Sequence, residues 1–271
     1  MTFFVPKPPL LVRPAGVNRH VAMTRAVDVF VVVVGLIVLA PIFALVAAAI
    51  LVDGHGPIIF SQLRLGMRGQ HFRLYKFRKF DDRRRVRGGG SLTMKNDPRL
   101  TRLGRLLGWT KLDELPQLWN VLRGDMAIVG PRPESLDFAD CFDDSHRWTL
   151  DHRPGLFGPT QVFFRNEGVL FQNRKGHDIE RFYRDVLFPL KARIDRAYYP
   201  ERTLLRDTIW IVRGIFAVFG WAPPHHDESD LAEEVENWIR RNLSTRLGNS
   251  EETAHAKLVD RVQPTPLQLK R

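Results

Sequence analysis

The sequence predicts an α-rich α+β protein in which an N-terminal membrane helix precedes a compact domain. The first observation is a run without charged residues over 29–52, whose 24 residues are long enough to cross a bilayer as a helix. The second is a set of short apolar segments separated by glycines in residues 56–80, which predicts a hairpin. The third is the helical spacing of apolar residues in several stretches between residues 100 and 221.

The positive charge of the chain is concentrated in one segment. The formal net charge is +11, and residues 61–110 hold fourteen Lys or Arg and three Asp, which equals the whole excess. Such a segment indicates an anionic partner, such as a phosphate, a nucleic acid or an anionic lipid. Residues 83–87 precede three glycines and are typical of a solvated linker. Few aromatic residues accompany these cations, which disfavours a nucleic-acid-binding module.

Length and cysteine content set further bounds. A chain of 271 residues is long enough for one or two domains with a hydrophobic core. The single cysteine, Cys141, excludes a disulfide within the chain and fits a reducing compartment. We expect it to be a small buried apolar residue and not a nucleophile.

The apolar run has basic residues on both sides, which bear on its orientation. Lys and Arg near membrane segments prefer the cytoplasmic side, so both ends are expected there. Pro41, near the middle, removes one backbone donor and can bend the helix. A re-entrant helix is therefore favoured over a single span and over a helix buried in a soluble core. The flanking cations are Lys7, Arg13, Arg19 and Arg25 before the run, and Arg64, Arg68, Arg73, Lys76, Arg78 and Lys79 after it.

Two further expectations concern this run. A secretory signal peptide fits poorly, because the run is too long and no small-residue cleavage site follows it. Asp28, at its start, is expected to pair with a nearby cation such as Arg25.

The segments after the hairpin predict two short helices. Residues 100–109 read as a helix with Thr101 as its N-cap. Residues 115–122 read as a second helix with an apolar stripe along one face, on which we expect Trp119 to lie in the core. The stripe consists of Leu115, Leu118, Trp119 and Leu122.

Helical spacing returns in residues 182–200, and residues 204–221 follow as an apolar and aromatic stretch interrupted by three charges. We interpret the second stretch as an interfacial amphipathic helix, with a core-packing helix as the alternative. After two prolines, Asp230 can cap a short helix over about 230–243, and the polar sequence from Ser244 is expected to be disordered.

These patterns divide the chain into four parts. Residues 1–24 form a basic N-terminal segment and residues 25–53 the membrane helix. Residues 54–222 are expected to form the main domain, and residues 223–271 a C-terminal extension.

Two adjacent carboxylates, Asp113 and Glu114, are the strongest candidates for chemistry. Neighbouring carboxylates beside positive charge suit phosphoryl transfer, because one can attack phosphorus or bind a metal that the other cannot reach. A structural interpretation stays open, because acidic residues in the first turn of a helix also complement its dipole. A turn with Arg132 between Pro131 and Pro133 follows the apolar segment.

The amino-acid sequence of the whole region resembles those of the bacterial sugar transferases that act as monotopic polyprenyl-phosphate phosphoglycosyl transferases. The resemblance covers roughly residues 25–220, with its motifs in family order. They are Arg25-Ala-Val-Asp28, Gly56-Pro-Ile-Ile-Phe-Ser-Gln-Leu-Arg-Leu-Gly66, Phe72-Arg-Leu-Tyr-Lys-Phe-Arg78, Asp97-Pro-Arg-Leu-Thr-Arg-Leu-Gly-Arg105, Leu112-Asp-Glu-Leu-Pro-Gln-Leu118, Gly130-Pro-Arg-Pro-Glu134, Arg153-Pro-Gly-Leu-Phe-Gly158 and Asp207-Thr-Ile-Trp-Ile-Val212.

The resemblance implies a reaction and its partners. A sugar-1-phosphate moves from a UDP-sugar to undecaprenyl (polyprenyl) phosphate and UMP is released, as an early membrane step of exopolysaccharide, capsule or lipopolysaccharide synthesis. Asp113 is implied to be the nucleophile that forms a phosphosugar-aspartate intermediate, and Glu114 is implied to ligate Mg²⁺. The resemblance also implies a re-entrant anchor in the bacterial inner membrane and a catalytic domain facing the cytoplasm. It leaves self-association as a homo-oligomer open.

Five cations are candidates for holding the phosphates, and Arg132, fixed between two prolines, is the strongest of them. Arginine can bind phosphate oxygens with two parallel hydrogen bonds. The candidates are Lys76, Arg78, Arg99, Arg105 and Arg132.

The chain also departs from the family pattern. Gly108 stands where members often carry arginine, and Trp109 and Lys111 replace a more usual polar pair. We therefore expect Arg105 or Arg102 to substitute for the missing arginine, or donor binding to be altered. Ala40 stands where the family has serine before Pro41.

Other functions find little support in the sequence. No glycine-rich Walker loop and no Gly-x-Ser-x-Gly hydrolase motif occurs. His225, His226 and Asp227 lack a second set of ligands at metal-binding spacing. The main alternative is a membrane-anchored protein that descends from such a transferase and is not an enzyme. Gly108, in place of the arginine, would be the sign of this loss of activity.

Overall fold

The computed structural model describes residues 15–54, 56–81, 92–94, 97–171 and 177–218 together with Asn237, with side chains from Thr24 onward. It is helix-rich and contains two two-stranded sheets within these residues. The helices are α1 (Ala15–Asp53), α2 (Arg102–Thr110), α3 (Gln117–Arg123), α4 (Pro159–Phe163), α5 (His177–Phe182), α6 (Phe188–Tyr198) and α7 (Leu204–Val218). The strands are β1 (Ile59–Leu65), β2 (His71–Phe77), β3 (Ala127–Val129) and β4 (Gly155–Phe157).

Helix α1 contains the apolar run and continues through Pro41. Residues 24–53 form the one described helix that is long and apolar enough to cross a membrane. Val32 and Ile50 on its inner side are buried, whereas Phe30 and Ile37 on its outer side are 70% and 71% exposed. Only 11% of the most apolar 18-residue stretch of this helix is buried, so the alternative that it is a helix buried in a soluble core is wrong.

Both ends of the apolar part of α1 contact the rest of the protein. Just before the apolar run, the Arg25 guanidinium donates to the carbonyls of Val121 and Leu122 at the end of α3, over 2.5 and 2.8 Å. Near the end of α1, Arg78 Nη2 donates to the carbonyl of Ile50, over 2.9 Å. The helix is therefore fastened to the domain at two points about 25 residues apart.

The expected link between Asp28 and Arg25 takes an indirect form. Asp28 accepts a hydrogen bond from the backbone of Ile128 and lies within electrostatic reach of Arg25 and Arg202. The hydrogen bonds of the Arg25 guanidinium go instead to α3.

The predicted hairpin is confirmed. Strands β1 and β2 pair antiparallel, from Ile59 opposite Phe77 to Leu65 opposite His71. Asn120 of α3 is fully buried and holds this hairpin. Its Oδ1 accepts from Tyr75 N over 3.0 Å, and its Nδ2 donates to the Arg73 carbonyl over 2.7 Å. This polar contact fixes the part of β2 that carries Lys76.

The apolar stripe predicted for residues 115–122 is confirmed in part, since Leu115, Leu118 and Leu122 are partly buried against the hydrophobic clusters. The buried residues of α3 are Gln117, Asn120 and Val121. The prediction that Trp119 lies in the core is wrong, because this side chain is 55% exposed. The hydrogen bonds of Asn120 to β2 decide the orientation of the helix.

Helix α2 forms as predicted, with Thr101 as its N-cap accepting from Gly104 N over 2.8 Å. Gly104 lets the helix approach the chain just after β2 very closely. A Cβ atom at this position would lie 1.9 Å from the carbonyl oxygen of Lys79. This close contact fixes the position of α2 relative to Lys79.

A second close approach positions the Pro131-Arg132-Pro133 turn. Strands β3 and β4 pair in parallel, and a Cβ on Gly130 would lie 2.2 Å from the Arg153 carbonyl. The turn thus leaves the end of β3 at a fixed point above the main core. That core includes Val121, Met126, Phe171, Tyr183, Leu187 and Ile194.

The helices predicted near residue 190 and residue 210 are both present. The first runs from α5 through a π-helical turn, Tyr183–Leu187, into α6. The second is α7, which buries Trp210 and leaves Leu205 73% exposed. Apart from Asn237, the helix predicted over about 230–243 lies outside the described residues, as does the disorder predicted from Ser244.

Cys141 is half-buried, less than expected, and packs against the main core. Burial raises the pKa of its thiol to about 11. A thiol that stays protonated at neutral pH is a poor nucleophile, in agreement with the prediction.

Candidate active site

The acidic pair Asp113 and Glu114 lies in a short 3₁₀ turn, Leu112–Glu114, between α2 and α3. Lys111 makes this turn by adopting a left-handed conformation, with φ of 59° and ψ of 13°. Its carbonyl accepts from Glu114 N over 3.0 Å. A left-handed conformation is uncommon for a residue with a side chain, and it directs the two carboxylates away from the axis of α2.

Asp113 is the more enclosed member of the pair, with 1% of its surface exposed. Lys79 Nζ lies 3.3 Å from its Oδ2. Its Oδ1 is buried and has no hydrogen-bond partner. A buried carboxylate oxygen without a partner is costly, so it marks a position where a ligand or a reacting atom is expected.

Glu114 is surrounded by cations. Lys76 Nζ lies 2.8 Å from its Oε1, and Arg132 Nη2 lies 3.8 Å from the same oxygen. Burial by itself would raise the pKa of Glu114, but the charges of Lys76, Arg132 and Lys111 outweigh it and hold the pKa well below its usual range. The carboxylate is therefore ionised at neutral pH.

The pKa values of the two cations that contact Glu114 are shifted in opposite directions. Burial lowers the pKa of Lys76 to about 8, against the attraction of Glu114 and Asp113. Burial would also lower the pKa of Arg132, but Glu114, Glu167 and Glu134 raise it above its ordinary value. Arg132 is thus a permanent charge, whereas Lys76 can lose its proton in mildly alkaline solution.

A buried polar network lies behind Arg132. Tyr183 donates to Glu134 Oε2 over 2.6 Å, and Lys191 Nζ lies 3.2 Å from the same hydroxyl. Lys191 also pairs with Glu167 Oε2 over 2.6 Å. Carboxylates held in this way keep negative charge close to Arg132 and fix the direction of its guanidinium.

The structure brings four of the predicted site residues together: Asp113, Glu114, Lys76 and Arg132. The other three lie in different contacts. Arg78 donates to the Ile50 and Gly54 carbonyls at the end of α1. Arg99 pairs with Asp97 over 2.6 Å. Arg105 is exposed on α2.

The contacts of Arg78 and Arg99 show how each side chain is held within the protein. Arg78 closes the C-terminal end of α1, where helix carbonyls lack partners within the helix. Arg99 is held by its carboxylate and also stacks on Phe80, with 4.9 Å between its guanidinium and the ring. Arg78 Nη1 is buried and has no hydrogen-bond partner, and the role of both residues at the phosphates stays a prediction.

Three cations beside the acidic pair were missed from the sequence. They are Lys79, Lys111 and Arg165, and with Lys76 and Arg132 they form what we call the cation cluster. Arg165 Nη2 donates to the Trp109 carbonyl over 2.6 Å, and its charge is attracted by Glu114. Lys79 and Lys111 lie directly beside motifs of the family, and this proximity could have identified them as site residues. For Arg165, which comes from the chain after α4, no local signal existed.

The residues present fit a magnesium ion only with help from a substrate. Among the described residues no group of three or more His, Cys, Asp or Glu could hold a metal. Mg²⁺ is commonly bound by one or two carboxylates together with phosphate oxygens and water. The free Asp113 Oδ1 and the adjacent Glu114 satisfy that requirement once a phosphate is bound.

Comparisons with known proteins identify the family. The family model described as bacterial sugar transferase matches residues 19–221. The exopolysaccharide production protein ExoY of Sinorhizobium fredii is 30% identical over 236 residues, which cover 80% of this chain and 92% of that protein.

Two enzymes with more specific names match shorter stretches. The undecaprenyl-phosphate glucose phosphotransferase of Komagataeibacter xylinus is 44% identical over 111 residues, covering 41% of this chain and 21% of that protein. The UDP-glucose:undecaprenyl-phosphate glucose-1-phosphate transferase of Escherichia coli is 37% identical over 162 residues, covering 58% of this chain and 34% of that protein. Together with the matched motifs and the cation-ringed acidic pair, these similarities show that the chain is a transferase and belongs to the bacterial sugar transferase family.

Proposed function

We propose that the protein transfers a sugar-1-phosphate from a UDP-sugar to undecaprenyl phosphate through an intermediate on Asp113, with release of UMP. The observation that carries this proposal is the asymmetry of the acidic pair. Asp113 has a buried carboxylate oxygen without a partner, and Glu114 beside it is enclosed by the cation cluster. The relatives named as undecaprenyl-phosphate glucose transferases support the choice of acceptor.

In the first step, an Asp113 oxygen attacks the phosphorus that is attached to the sugar. A bond forms between that oxygen and phosphorus, and the bond from the same phosphorus to the bridging oxygen breaks. UMP leaves with the electron pair. A carboxylate is repelled by an anionic diphosphate, so the cation cluster is needed to offset the negative charge of the donor.

In the second step, an oxygen of undecaprenyl phosphate attacks the same phosphorus. The bond to Asp113 breaks, which regenerates the carboxylate and yields undecaprenyl diphosphate sugar. Two steps allow a water-soluble donor and a lipid acceptor to use one site in turn. Because Asp113 is enclosed in this structure, donor binding must open the contacts around it before it reacts.

Magnesium would be held by Glu114, with Asp113 beside it and the donor phosphates completing the shell. It would supply positive charge at the phosphate oxygens, which weakens the repulsion of the attacking carboxylate. Lys76 and Arg132 hold Glu114 in place and add charge of their own.

We infer that α1 is a re-entrant anchor, with both ends on the cytoplasmic side of the inner membrane. A straight span would carry one end of the helix about 30 Å from the domain, across the hydrocarbon core. Here Arg25 near the start and Ile50 near the end both contact the domain, while Phe30 and Ile37 on the outer side are exposed. An apolar outer side between two fastened ends suits a helix that dips into one leaflet.

We infer that helix α7 makes a second contact with the membrane, at the boundary between lipid and water. Its outer side presents Leu205, Ile209, Val212 and Phe216, all at least 43% exposed. Their spacing of three and four residues puts them on one face, which suits an amphipathic helix lying in the headgroup region. The site would then lie close to the lipid acceptor. The reaction would be an early step in the synthesis of an exopolysaccharide or a related glycoconjugate.

The proposed function is tested by UMP release from a panel of UDP-sugars. Detergent-solubilised protein is incubated with Mg²⁺ and undecaprenyl phosphate, and Asp144→Asn, which removes an exposed carboxylate, serves as the matched control for Asp113→Asn. We expect UMP from one or a few donors, unchanged by the control and lost in Asp113→Asn. Folded, membrane-bound protein that releases no UMP from any donor would contradict the proposal.

A further inference from the structure

We propose that Lys111 binds the diphosphate of the nucleotide-sugar donor and supplies the positive charge that is missing at Gly108. This inference rests on the proposed function, since it concerns the same acidic pair. It replaces the expectation that Arg105 or Arg102 takes over this role.

The first observation is the backbone conformation of Lys111. Lys111 is one of two residues other than glycine with positive φ in the described part of the chain. This conformation suits glycine or asparagine better than lysine, so the side chain carries a conformational cost. Such costs are concentrated at functional sites, where the surrounding structure maintains them.

The side chain of Lys111 is the second observation. It is half-buried and is attracted by Glu114 and Asp113, yet within the described structure it makes neither an ion pair nor a hydrogen bond. Lys79 and Arg132 act on it as like charges, and burial lowers its pKa. A partly desolvated cation in this position gains strongly from an anionic ligand placed between it and its neighbours.

The alternatives on α2 lack these properties. Arg102 and Arg105 are both exposed, and no contact places either side chain at the acidic pair. Lys111 follows the end of the helix directly and precedes Asp113 by two residues. Lys111 interacts electrostatically with both carboxylates in the described structure.

The test compares Lys111→Gln with Lys111→Arg, using Arg105→Gln as the matched loss of a charge. Binding of UDP and of inorganic pyrophosphate to detergent-solubilised protein is measured by calorimetry, beside KM and kcat for UMP release. We expect Lys111→Gln to weaken both ligands and to raise the donor KM about tenfold, as for the loss of a charged hydrogen bond. Lys111→Arg should stay close to wild type, and Arg105→Gln should change binding less than twofold.

Several results would overturn the inference. Wild-type binding in Lys111→Gln would do so, as would an equal loss in Arg105→Gln. A loss for UDP without a loss for pyrophosphate would show that Lys111 does not contact the diphosphate. If Lys111→Arg loses binding together with thermal stability, Lys111→Gly, which relieves the left-handed conformation, must still lose binding in a stable protein for the inference to stand.

The link to Gly108 is tested by Gly108→Arg in the Lys111→Gln background. A Cβ at Gly108 meets nothing within 4 Å, so a longer side chain can be accommodated. Recovery of UDP binding by threefold or more is expected, and no recovery would overturn the link. Absence of UMP release by the wild type would refute the proposed function, while the binding measurements would still decide the role of Lys111.

Discussion

At the scale of single residues, the two carboxylates of the site have different surroundings although they are neighbours. Glu114 is close to Lys76, Arg132 and Lys111, so its charge is well compensated. Asp113 has Lys79 at one oxygen and no partner at the other. The less compensated carboxylate is the better nucleophile, and the more compensated one positions the surrounding cations.

Lys76 gives the site a pH dependence. Below a pH of about 8 its ammonium is charged and pairs with Glu114, and above it the proton is lost because burial has lowered the pKa. We therefore predict that kcat/KM falls as pH rises through about 8. Lys76→Arg, whose guanidinium keeps its charge to much higher pH, should move the fall upward.

The measurement is a pH profile of kcat/KM for UMP release by both proteins at constant ionic strength. This quantity reports ionisations of the free enzyme and free substrates. An alkaline limb that is identical in wild type and Lys76→Arg would show that another group is responsible.

At the scale of elements, close backbone contacts hold the site. Helix α2 approaches the chain after β2 through Gly104, and α3 is bonded to β2 through Asn120. Lys76 and Lys79 therefore come from the end of the hairpin with little freedom to move relative to the acidic pair. Preorganised charge of this kind lowers the cost of binding an anionic transition state.

Two glycines of α2 provide a matched pair of variants. Gly104→Ala would place a Cβ 1.9 Å from the Lys79 carbonyl oxygen, so α2 and Lys79 must separate. We predict a loss of about 1–3 kcal/mol in the free energy of unfolding, as for other overpacked sites, together with a loss of activity. Gly108→Ala meets nothing within 4 Å and should be stabilised by about 0.5–1 kcal/mol.

Both variants would be compared by thermal unfolding and by UMP release. Equal stability of the two proteins, or full activity in Gly104→Ala, would show that the close approach of α2 does not position Lys79.

The sequence predicted those elements whose signals are local. The N-cap of α2, the hairpin and the acidic pair depend on neighbouring residues, and each is present. Arg78 and Trp119 depend on distant partners. The carbonyls that Arg78 binds belong to α1, and the orientation that exposes Trp119 is set by the bonds of Asn120 to β2.

The same reasoning explains the incomplete prediction of the site. Arg132 was recognised because two prolines and a glycine mark its turn. Arg165 and Glu167 reach the site only through the packing of α4 and α6 around the core, and no spacing in the sequence indicates this. Lys111 was noted as a departure from the family, but its left-handed backbone is visible only in the structure.

At the scale of the whole molecule, the anchor and the catalytic domain form one connected unit. Arg25 binds α3, which also positions β2, and Arg78 extends from the chain after β2 to the end of α1. Helix α1 thus contacts the elements that carry the cation cluster. If α1 lies in the membrane as proposed, these contacts would hold the site at a fixed depth relative to the bilayer surface.

A labelling experiment tests this topology. In a Cys141→Ser background, single cysteines replace Thr24 and Asp53 at the two ends of the apolar run, and a third replaces exposed Asp144 in the domain. We predict that a membrane-impermeant maleimide labels all three only when the cytoplasmic face is accessible. Opposite labelling of the Thr24 and Asp53 positions would indicate a single span.

On the proposed mechanism, Asp113 carries the sugar phosphate between the two half-reactions. Intact-protein mass spectrometry can detect this carrier after the protein is mixed with Mg²⁺ and an active UDP-sugar in the absence of undecaprenyl phosphate. The predicted result is UMP release of up to one equivalent and a mass increase equal to one sugar phosphate, both absent in Asp113→Asn and present in Asp144→Asn. UMP release that occurs only when acceptor is added, without any adduct, would contradict this mechanism and indicate direct transfer.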